Sequence, residues 1–252
     1  MRTLSAIVSI RNEAHQIADC LERLAFADEI VVLLDKCTDD SGEIAARFTD
    51  RLVEGDWDKE GQRRNAGIEA CRCDWVLEVD ADERVSEPLA TEIRRVVETT
   101  AYDWHEILVD NYIGGKLVRW GWGASYGKAA YPGLFRKGAK VWGEQRVHPR
   151  LQWSGQKGPM LTNRLHHYVD RDISDMIRRL DNYSSARARD LRESGDIGSF
   201  PANLRRLFSR FFKCYVMRKG YREGGYGFLI ACFAGLYPLL SHLKARLEDE
   251  EH

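Results

Sequence analysis

The chain has 252 residues, of which 44% are hydrophobic and 31% are charged. This composition excludes a disordered, fibrous or collagen-like protein and is sufficient for one large globular domain or one and a half. The formal net charge of −1 conceals an uneven distribution, because residues 1–110 carry 13 basic and 26 acidic side chains and residues 111–252 carry 25 and 13. We therefore expect different partners for the two halves.

Short apolar segments alternate with helical patterns in the first half of the chain. This alternation predicts βαβ units and a mostly parallel α/β sheet flanked by helices, with its ligand site at the carboxyl ends of the strands. The predicted strands are Leu4–Ile10, Glu29–Leu34, Arg51–Val53 and Trp75–Val79, and the predicted helices cover about 13–26, 41–49, 60–71 and 86–99.

The second half has less regular patterns. Residues 104–168 are rich in Gly, Trp and Tyr, with short strands predicted at His105–Val109 and Leu134–Arg136. Helices are predicted for 172–194 and within 201–247, and the latter segment carries nine basic residues and one acid. The apolar stretch Phe228–Leu240 has 13 residues, fewer than the ~20 that span a bilayer.

Acidic side chains follow two of the predicted strands. Asp80 and Asp82 end the fourth strand, and carboxylates two residues apart are typical ligands of Mg²⁺ or Mn²⁺; the alternative is a solvated turn. Asp35 ends the second strand, where it could accept a hydrogen bond from a nucleotide; alternatively it belongs to an Asx-type turn. Arg64, on the helix before the fourth strand, could reach a phosphate or simply face solvent.

Four segments of the chain together form a recognisable motif set: Ser9-Ile10-Arg11-Asn12-Glu13, Val32 through Asp39, Arg64-Asn65, and Trp75 through Arg84. This set resembles that of the family 2 glycosyltransferases of the GT-A fold. Residues 109–136 and the later 147–148, 167–168 and 182–184 are similar to the subgroup of lipopolysaccharide core β-1,4-glucosyltransferases.

The resemblance implies a GT-A catalytic domain over 1–170. Its nucleotide-binding half would be 1–100 and its acceptor-side half 101–170, followed by a helical extension over 171–252. The implied reaction is a metal-dependent, inverting transfer of a hexose from a nucleotide sugar, with Mn²⁺ or Mg²⁺ on Asp82. The residues implied in nucleotide binding are Arg11, Glu13, Asp35, Arg64 and Asp80.

An inverting displacement also needs a carboxylate that takes the proton of the acceptor hydroxyl. Pro149 stands where the subgroup has an acid, so we predict Glu144 as the base, with Asp110 as the alternative. His148 and His167 fall where the subgroup has histidines, and each could complete the metal site or serve only a structural role.

Aromatic and basic residues indicate the acceptor side. Trp120, Trp122 and Trp142 could form a platform for a sugar, or pack in a core. The basic, aromatic segment from 201 predicts contact with an anionic membrane surface, although a packed helical subdomain would have a similar pattern. No nucleic-acid recognition motif is present, so we expect no nucleic-acid partner.

These observations predict an enzyme on the inner face of the cytoplasmic membrane. The scattered cysteines favour free thiols in a reducing compartment, and Leu4–Ile10 is too short for a signal peptide. We expect transfer of glucose from UDP-glucose to a lipid-anchored saccharide such as the lipopolysaccharide inner core. The alternatives are a sugar-phosphate nucleotidyltransferase and a non-catalytic module that binds membrane surfaces.

Overall fold

The computed structural model describes residues 1–123, 127–143 and 150–248. The contacts of these residues group them into two compact units. The first unit contains residues 1–110, 130–143 and 150–167, and the second contains 111–123, 127–129 and 168–248. The second unit therefore includes residues from the predicted acceptor-side half as well as the C-terminal helices.

The main sheet combines parallel and antiparallel strands. Its strands are β1 (Leu4–Ile10), β2 (Glu29–Asp35), β3 (Leu52–Gly55), β4 (Trp75–Asp80), β5 (Glu83–Arg84), β6 (Trp104–Ile113), β7 (Lys116–Val118), β8 (Ala130–Arg136) and β11 (Arg164–Asp170). Within the described residues their order is β3-β2-β1-β4-β8-β6-β11-β5, with β7 on β6. The first four strands of this order are parallel, and β8 pairs antiparallel with both β4 and β6. The predicted α/β class is confirmed.

Four helices belong to the first unit, together with a small antiparallel ladder. The helices are α1 (Ile17–Glu22), α2 (Ser41–Ala45), α3 (Glu60–Ala70) and α4 (Glu87–Thr99), and the ladder joins β9 (Lys140–Trp142) to β10 (Leu151–Trp153). Helix α1 is shorter than predicted, because residues 13–16 form a turn in which the carbonyl of Glu13 accepts from the amides of Gln16 and Ile17. Ser86 caps α4, since its side chain accepts from the amide of Leu89.

The core of the first unit is formed by apolar side chains of its strands and helices. Strands β1, β2 and β4 are buried on both faces, and for that reason they are almost uniformly apolar in sequence. The largest side chains in this core with essentially no exposed surface include Trp75, Phe135, Leu4, Leu33 and Leu77.

The C-terminal helices of the second unit are confirmed. They are α5 (Ile173–Ser194), α6 (Phe200–Phe212) and α7 (Gly224–Leu247), with a π-helical turn at Lys213–Met217 and a 3-10 turn at Gly220–Glu223. Residues 111–123 join them through hydrogen bonds, for example from the amides of Arg119 and Trp120 to Glu223. Residues 220–247 are long and apolar enough to cross a membrane, but 56% of the most apolar window is buried in the structure, as in the core helix of a soluble protein.

Glu92 on α4 holds the segment that precedes β11. Its carboxylate accepts hydrogen bonds from the backbone and side chain of both Thr162 and Asn163, at 2.8–2.9 Å. Burial raises the pKa of Glu92, but these hydrogen bonds outweigh burial, so the pKa lies below its ordinary value. The charged form is therefore the one that stabilises the fold.

We expect Glu92→Gln to lower the free energy of unfolding at pH 7 by about 1–3 kcal/mol, because the four donors lose a charged acceptor. A lowered carboxyl pKa stabilises the folded state above the unfolded pKa and is lost as pH falls, so the difference from wild type should shrink below pH ~4.3. Urea titrations between pH 3 and pH 8 measure this, with the exposed Glu69→Gln as the control. A difference that persists at pH 3 would contradict it.

Candidate active site

The carboxyl ends of β1, β2 and β4 lie side by side, because these strands are parallel neighbours. After β1 and after β2 the backbone leaves the sheet through a left-handed conformation at a non-glycine residue, with φ of 59° at Asn12 and 52° at Lys36. Such conformations cost energy and concentrate at functional sites. Asp35 lies at the end of β2, and Asp80 and Asp82 lie at the end of β4. The parallel arrangement of the strands therefore brings these acidic residues to the same edge of the sheet.

Asp35 is buried at the end of β2. Its carboxylate accepts from Arg63 at 2.9 Å and from the backbone amide of Trp57 at 3.3 Å. The ring of Trp57 covers Gly55 so closely that a Cβ there would lie 2.3 Å from the ring. The result is an ionic and aromatic corner, of which sequence reasoning found Asp35 and missed Trp57.

Asp80 and Arg64 form the next contact along this edge. Arg64 donates to Asp80 at 2.9 Å and to Glu60 at 2.8 Å, and its guanidinium lies 4.9 Å from the ring centroid of Trp142. Burial would lower the pKa of Arg64, but the negative charges of Asp80, Glu60 and Glu78 raise it above its ordinary value. Arg64 is therefore a permanent cation whose charge is largely offset by its neighbours.

Asp82 contacts His167, which lies 85 residues later in the sequence. Strand β11 pairs with β5 so that His167 lies opposite Glu83, and Nε2 of His167 is 3.2 Å from Oδ2 of Asp82. The side chain of Asp82 is 32% exposed and that of His167 10% exposed. The two groups thus converge at an accessible position beside Asp80.

The donor set at Asp82 fits a hard divalent cation of the kind that also binds phosphate. Adjacent ligands of an octahedral Mg²⁺ lie about 3 Å apart, given metal–oxygen distances near 2.1 Å. Asp82 and His167 have that separation. The described residues contain no group of three or more His, Cys, Asp or Glu that could hold a metal alone. Mg²⁺ typically uses one or two carboxylates and completes its shell with water and substrate phosphates.

Glu13 adds a further negative charge to this edge. Burial raises its pKa above the ordinary value, and the charges of Asp82 and Asp39 raise it further, while a hydrogen bond from Gln16 opposes them. These carboxylates are therefore close enough to repel one another. An arrangement of this kind favours a bound cation.

A buried ion pair underlies the wall of the site. Glu78 and Lys140 are 1% and 2% exposed and are in direct contact, and Glu78 also accepts from Nε1 of Trp142 at 2.8 Å. Asn65 bonds both the amide and the carbonyl of Trp142 at 2.9 Å. Burial lowers the pKa of Lys140, and Glu78 opposes that shift. The sequence signal that we missed is Glu78 itself, a lone acid inside the apolar strand WVLEV.

Comparison with known proteins now adds to this geometry. The profile of glycosyl transferase family 2 matches residues 5–148, more than half of the chain. The chain belongs to glycosyl transferase family 2. The predicted resemblance is confirmed, and the protein is a glycosyltransferase that uses a nucleotide sugar.

Two relatives of this family 2 glycosyltransferase match almost its whole length. The lipopolysaccharide core biosynthesis glycosyltransferase LpsC of Rhizobium meliloti (strain 1021) is 23% identical over 254 residues, 96% of this chain and 91% of LpsC. An uncharacterized glycosyltransferase of Rickettsia felis is 22% identical over 263 residues, 98% of this chain and 90% of the relative. Both are distant homologues.

Two solved structures are similar to part of this chain. S. aureus TarS has a TM-score of 0.49 and 14% identity, covering 75% of this chain and 40% of TarS. Glucosyl-3-phosphoglycerate synthase from Mycobacterium tuberculosis, in complex with Mg²⁺ and uridine diphosphate, has a TM-score of 0.36 and 21% identity, covering 44% of each chain.

The remaining predicted residues of this family 2 enzyme have different surroundings. Asp110 is buried on β6 and accepts from Arg164 at 3.3 Å, and Arg11 is exposed after β1. Glu144 and His148 lie outside the described residues, so their predicted roles stay predictions. The six cysteines are all free thiols.

The three predicted platform tryptophans do not share one environment. Trp142 belongs to the first unit and Trp120 to the second, where Lys219 and Arg222 lie 5.4 and 5.2 Å from its ring centroid. Trp122 is 3% exposed, packs in the core of the second unit and donates to the carbonyl of Val118. The prediction of a sugar platform at Trp122 was wrong, because the ring has no free face.

We expect Lys140→Met to lower the free energy of unfolding by about 3–5 kcal/mol, since it leaves the Glu78 carboxylate buried without its counter-ion. The double variant Glu78→Gln/Lys140→Met should recover most of this loss, because it removes both charges and keeps an acceptor for Trp142. Urea denaturation measures both, and the exposed Lys116→Met is the control. A double variant as unstable as the single one would contradict the buried pair.

Proposed function

We propose that this enzyme transfers a hexose, glucose from UDP-glucose, with inversion to a lipid-anchored saccharide such as the inner core of lipopolysaccharide. The observation that carries the proposal is the convergence of Asp82 and His167 beside the Asp80–Arg64 pair at the carboxyl edge of the sheet. Family membership favours this reaction over that of a nucleotidyltransferase.

The corner at Asp35 fits the nucleoside. The buried carboxylate of Asp35 would accept from the imide N–H of uracil, with Arg63 and the amide of Trp57 holding it in place. The ring of Trp57 would offer a stacking surface for the base. Lys36 is held beside this corner by Asp56 and Asp58, in the place where small residues are usual in the family.

The second part of the site fits the diphosphate. Asp82 and His167 would hold Mg²⁺ or Mn²⁺, which when bound neutralises the charge that develops on the leaving diphosphate. Asp80 would orient the nucleotide sugar, and Arg64 fixes Asp80 in turn. Glu13 lines the same edge and contributes negative charge that favours the cation.

Inversion requires a carboxylate that takes the proton of the acceptor hydroxyl on the side away from the diphosphate. Glu144 is our proposed base and Asp110 the alternative. The 3.3 Å contact with Arg164 restrains the carboxylate of Asp110, so Asp110 would have to exchange a partner before it could accept a proton.

The acceptor class is supported by a relative and by one surface. LpsC, a distant homologue along almost the whole chain, is a lipopolysaccharide core biosynthesis glycosyltransferase. In the second unit, α6 exposes a row of large apolar side chains that recur every four residues and so share one face: Phe200, Leu204, Phe208 and Phe212.

This row, which we call the α6 apolar row, fits an anionic membrane surface. Phe208 is 65% and Phe212 55% exposed, on the side of α6 away from Asn203, which is buried. Residues 200–222 contain seven basic side chains and no acidic one. Apolar side chains at the acyl boundary with lysine and arginine at the headgroups are typical of an interfacial helix. We propose that the enzyme binds the inner face of the cytoplasmic membrane through this row.

We expect Asp82→Asn to abolish sugar transfer and the Mn²⁺-dependent part of UDP binding, because the cation loses its carboxylate ligand. Calorimetry with UDP, with and without Mn²⁺, and transfer assays measure this. Asp50→Asn, an exposed acid before β3, is the control. A variant with the wild-type rate in excess chelator would refute the metal site, and a wild type that hydrolyses no nucleotide sugar would support the non-catalytic alternative.

We expect Phe208→Ser and Phe212→Ser each to weaken binding to phosphatidylglycerol-containing vesicles about tenfold or more, since burial of one Phe contributes about 1.5–3 kcal/mol. Binding of the wild type should also weaken with salt, because the basic side chains are screened. Vesicle sedimentation measures this, with the exposed Met160→Ser as the control. If vesicle binding is unchanged, and the wild type is a dimer that either variant converts to a monomer, the row would be assigned to self-association instead.

A further inference from the structure

The second unit contains a cavity of about 180 Å³ that the proposed reaction does not use. Its walls come from α5, α6, α7 and the segment between α5 and α6. Three arginines line it, Arg187 on α5 and Arg206 and Arg210 on α6. The volume is below the ~300–1,000 Å³ of typical pockets for larger organic ligands, but it would hold a small anion with a few waters.

Three guanidinium groups at one cavity repel one another unless something negative lies among them. Burial lowers the pKa of Arg210, Tyr237 opposes that shift, and the positive charges of Arg206 and Arg187 add to it. Arg206 donates to the neutral amide oxygen of Asn203 at 3.0 Å, so that contact supplies no negative charge. The cluster thus carries a cost that a bound anion would remove.

The acids near the cavity offset only part of this charge. Asp190 lies 3.6 Å from Arg187, and Asp196 lines the wall on an exposed stretch of chain. Among the residues that line the cavity, three are arginines and one, Asp196, is an acid. The lining therefore has a net positive charge.

We propose that this cavity binds a phosphate group, held by the guanidinium groups of Arg187, Arg206 and Arg210. Guanidinium groups present paired N–H donors that match two oxygens of a phosphate, and such charge-assisted pairs are short and strong. The phosphate could be a free ion or the phosphomonoester headgroup of a lipid, since both offer the same oxygens. The proposal is independent of the donor site and of the α6 apolar row.

The test uses inorganic phosphate as the probe and the full-length protein. Calorimetry at constant ionic strength, with chloride as the balancing anion, should show phosphate binding that Arg210→Gln and Arg206→Gln each weaken at least tenfold. The matched control is Arg205→Gln, an exposed arginine on the same helix that does not line the cavity. Arg210→Lys should bind with intermediate affinity, because it keeps the charge and loses the paired donors.

The two sources of phosphate are separated with vesicles. Binding to phosphatidic acid vesicles that exceeds binding to phosphatidylglycerol vesicles of equal charge, and that Arg206→Gln removes, would support a lipid headgroup as the ligand. Phosphate binding in solution without that preference would support a free ion.

Two results would overturn the proposal. One is the absence of measurable phosphate binding by the wild type in either form. The other is a loss of phosphate affinity in Arg205→Gln as large as that in Arg206→Gln, which would mean that the affinity belongs to the basic surface as a whole. Thermal unfolding of each variant excludes misfolding, and Arg206→Gln, at an exposed residue, remains informative where Arg210→Gln fails to fold. Hydrolysis of UDP-glucose should be unchanged in all of these variants, so failure here is separable from failure of the proposed reaction.

Discussion

The candidate site depends on the buried contact between Glu78 and Lys140. A charged pair inside a core is expensive to desolvate and is tolerated only with good geometry and further hydrogen bonds. Here Trp142 supplies one of these bonds, and Asn65 fixes the backbone of Trp142 in turn. Helix α3 must then lie very close to this segment, and Gly61 permits it, since a Cβ there would be 1.9 Å from the carbonyl oxygen of Gly143. The same packing places Arg64 over the Trp142 ring and against Asp80.

This arrangement also explains why an acidic edge can serve an anionic substrate. Arg64 is surrounded by Asp80, Glu60 and Glu78, so its charge is already offset by protein carboxylates. Glu13 and Asp82 add negative charge nearby, and the pKa of Glu13 is raised by burial and, to a smaller extent, by the charge of Asp82. A diphosphate would be repelled from such an edge. A divalent cation held by Asp82 would reverse the sign of that interaction.

Local pattern predicted the parallel strands and the acids that follow them, because buried strands are continuous apolar segments and parallel topology places their carboxyl ends together. Contacts made across long stretches of chain were not predictable in this way. The pairing of β5 with β11 brings His167 to Asp82 across 85 residues, and only the resemblance to known enzymes pointed to that histidine. The prediction for Trp122 was wrong because an aromatic residue in a Gly-rich segment is compatible with either a binding surface or a core. Only its burial in the folded structure decides between the two.

Helix α6 illustrates how one sequence period can carry two surfaces. Phe200, Leu204, Phe208 and Phe212 recur every four residues on its exposed side, while Arg206 and Arg210, also four apart, line the cavity against α5 and α7. The helical repeat keeps these two sets on different faces. If both proposals hold, a membrane that offers acyl chains and phosphomonoesters engages the two faces at once, and the second contact forms at the high effective concentration set by the first. Substitutions that remove the contacts of one face should then weaken binding to such a membrane by more than the affinity of that face alone predicts.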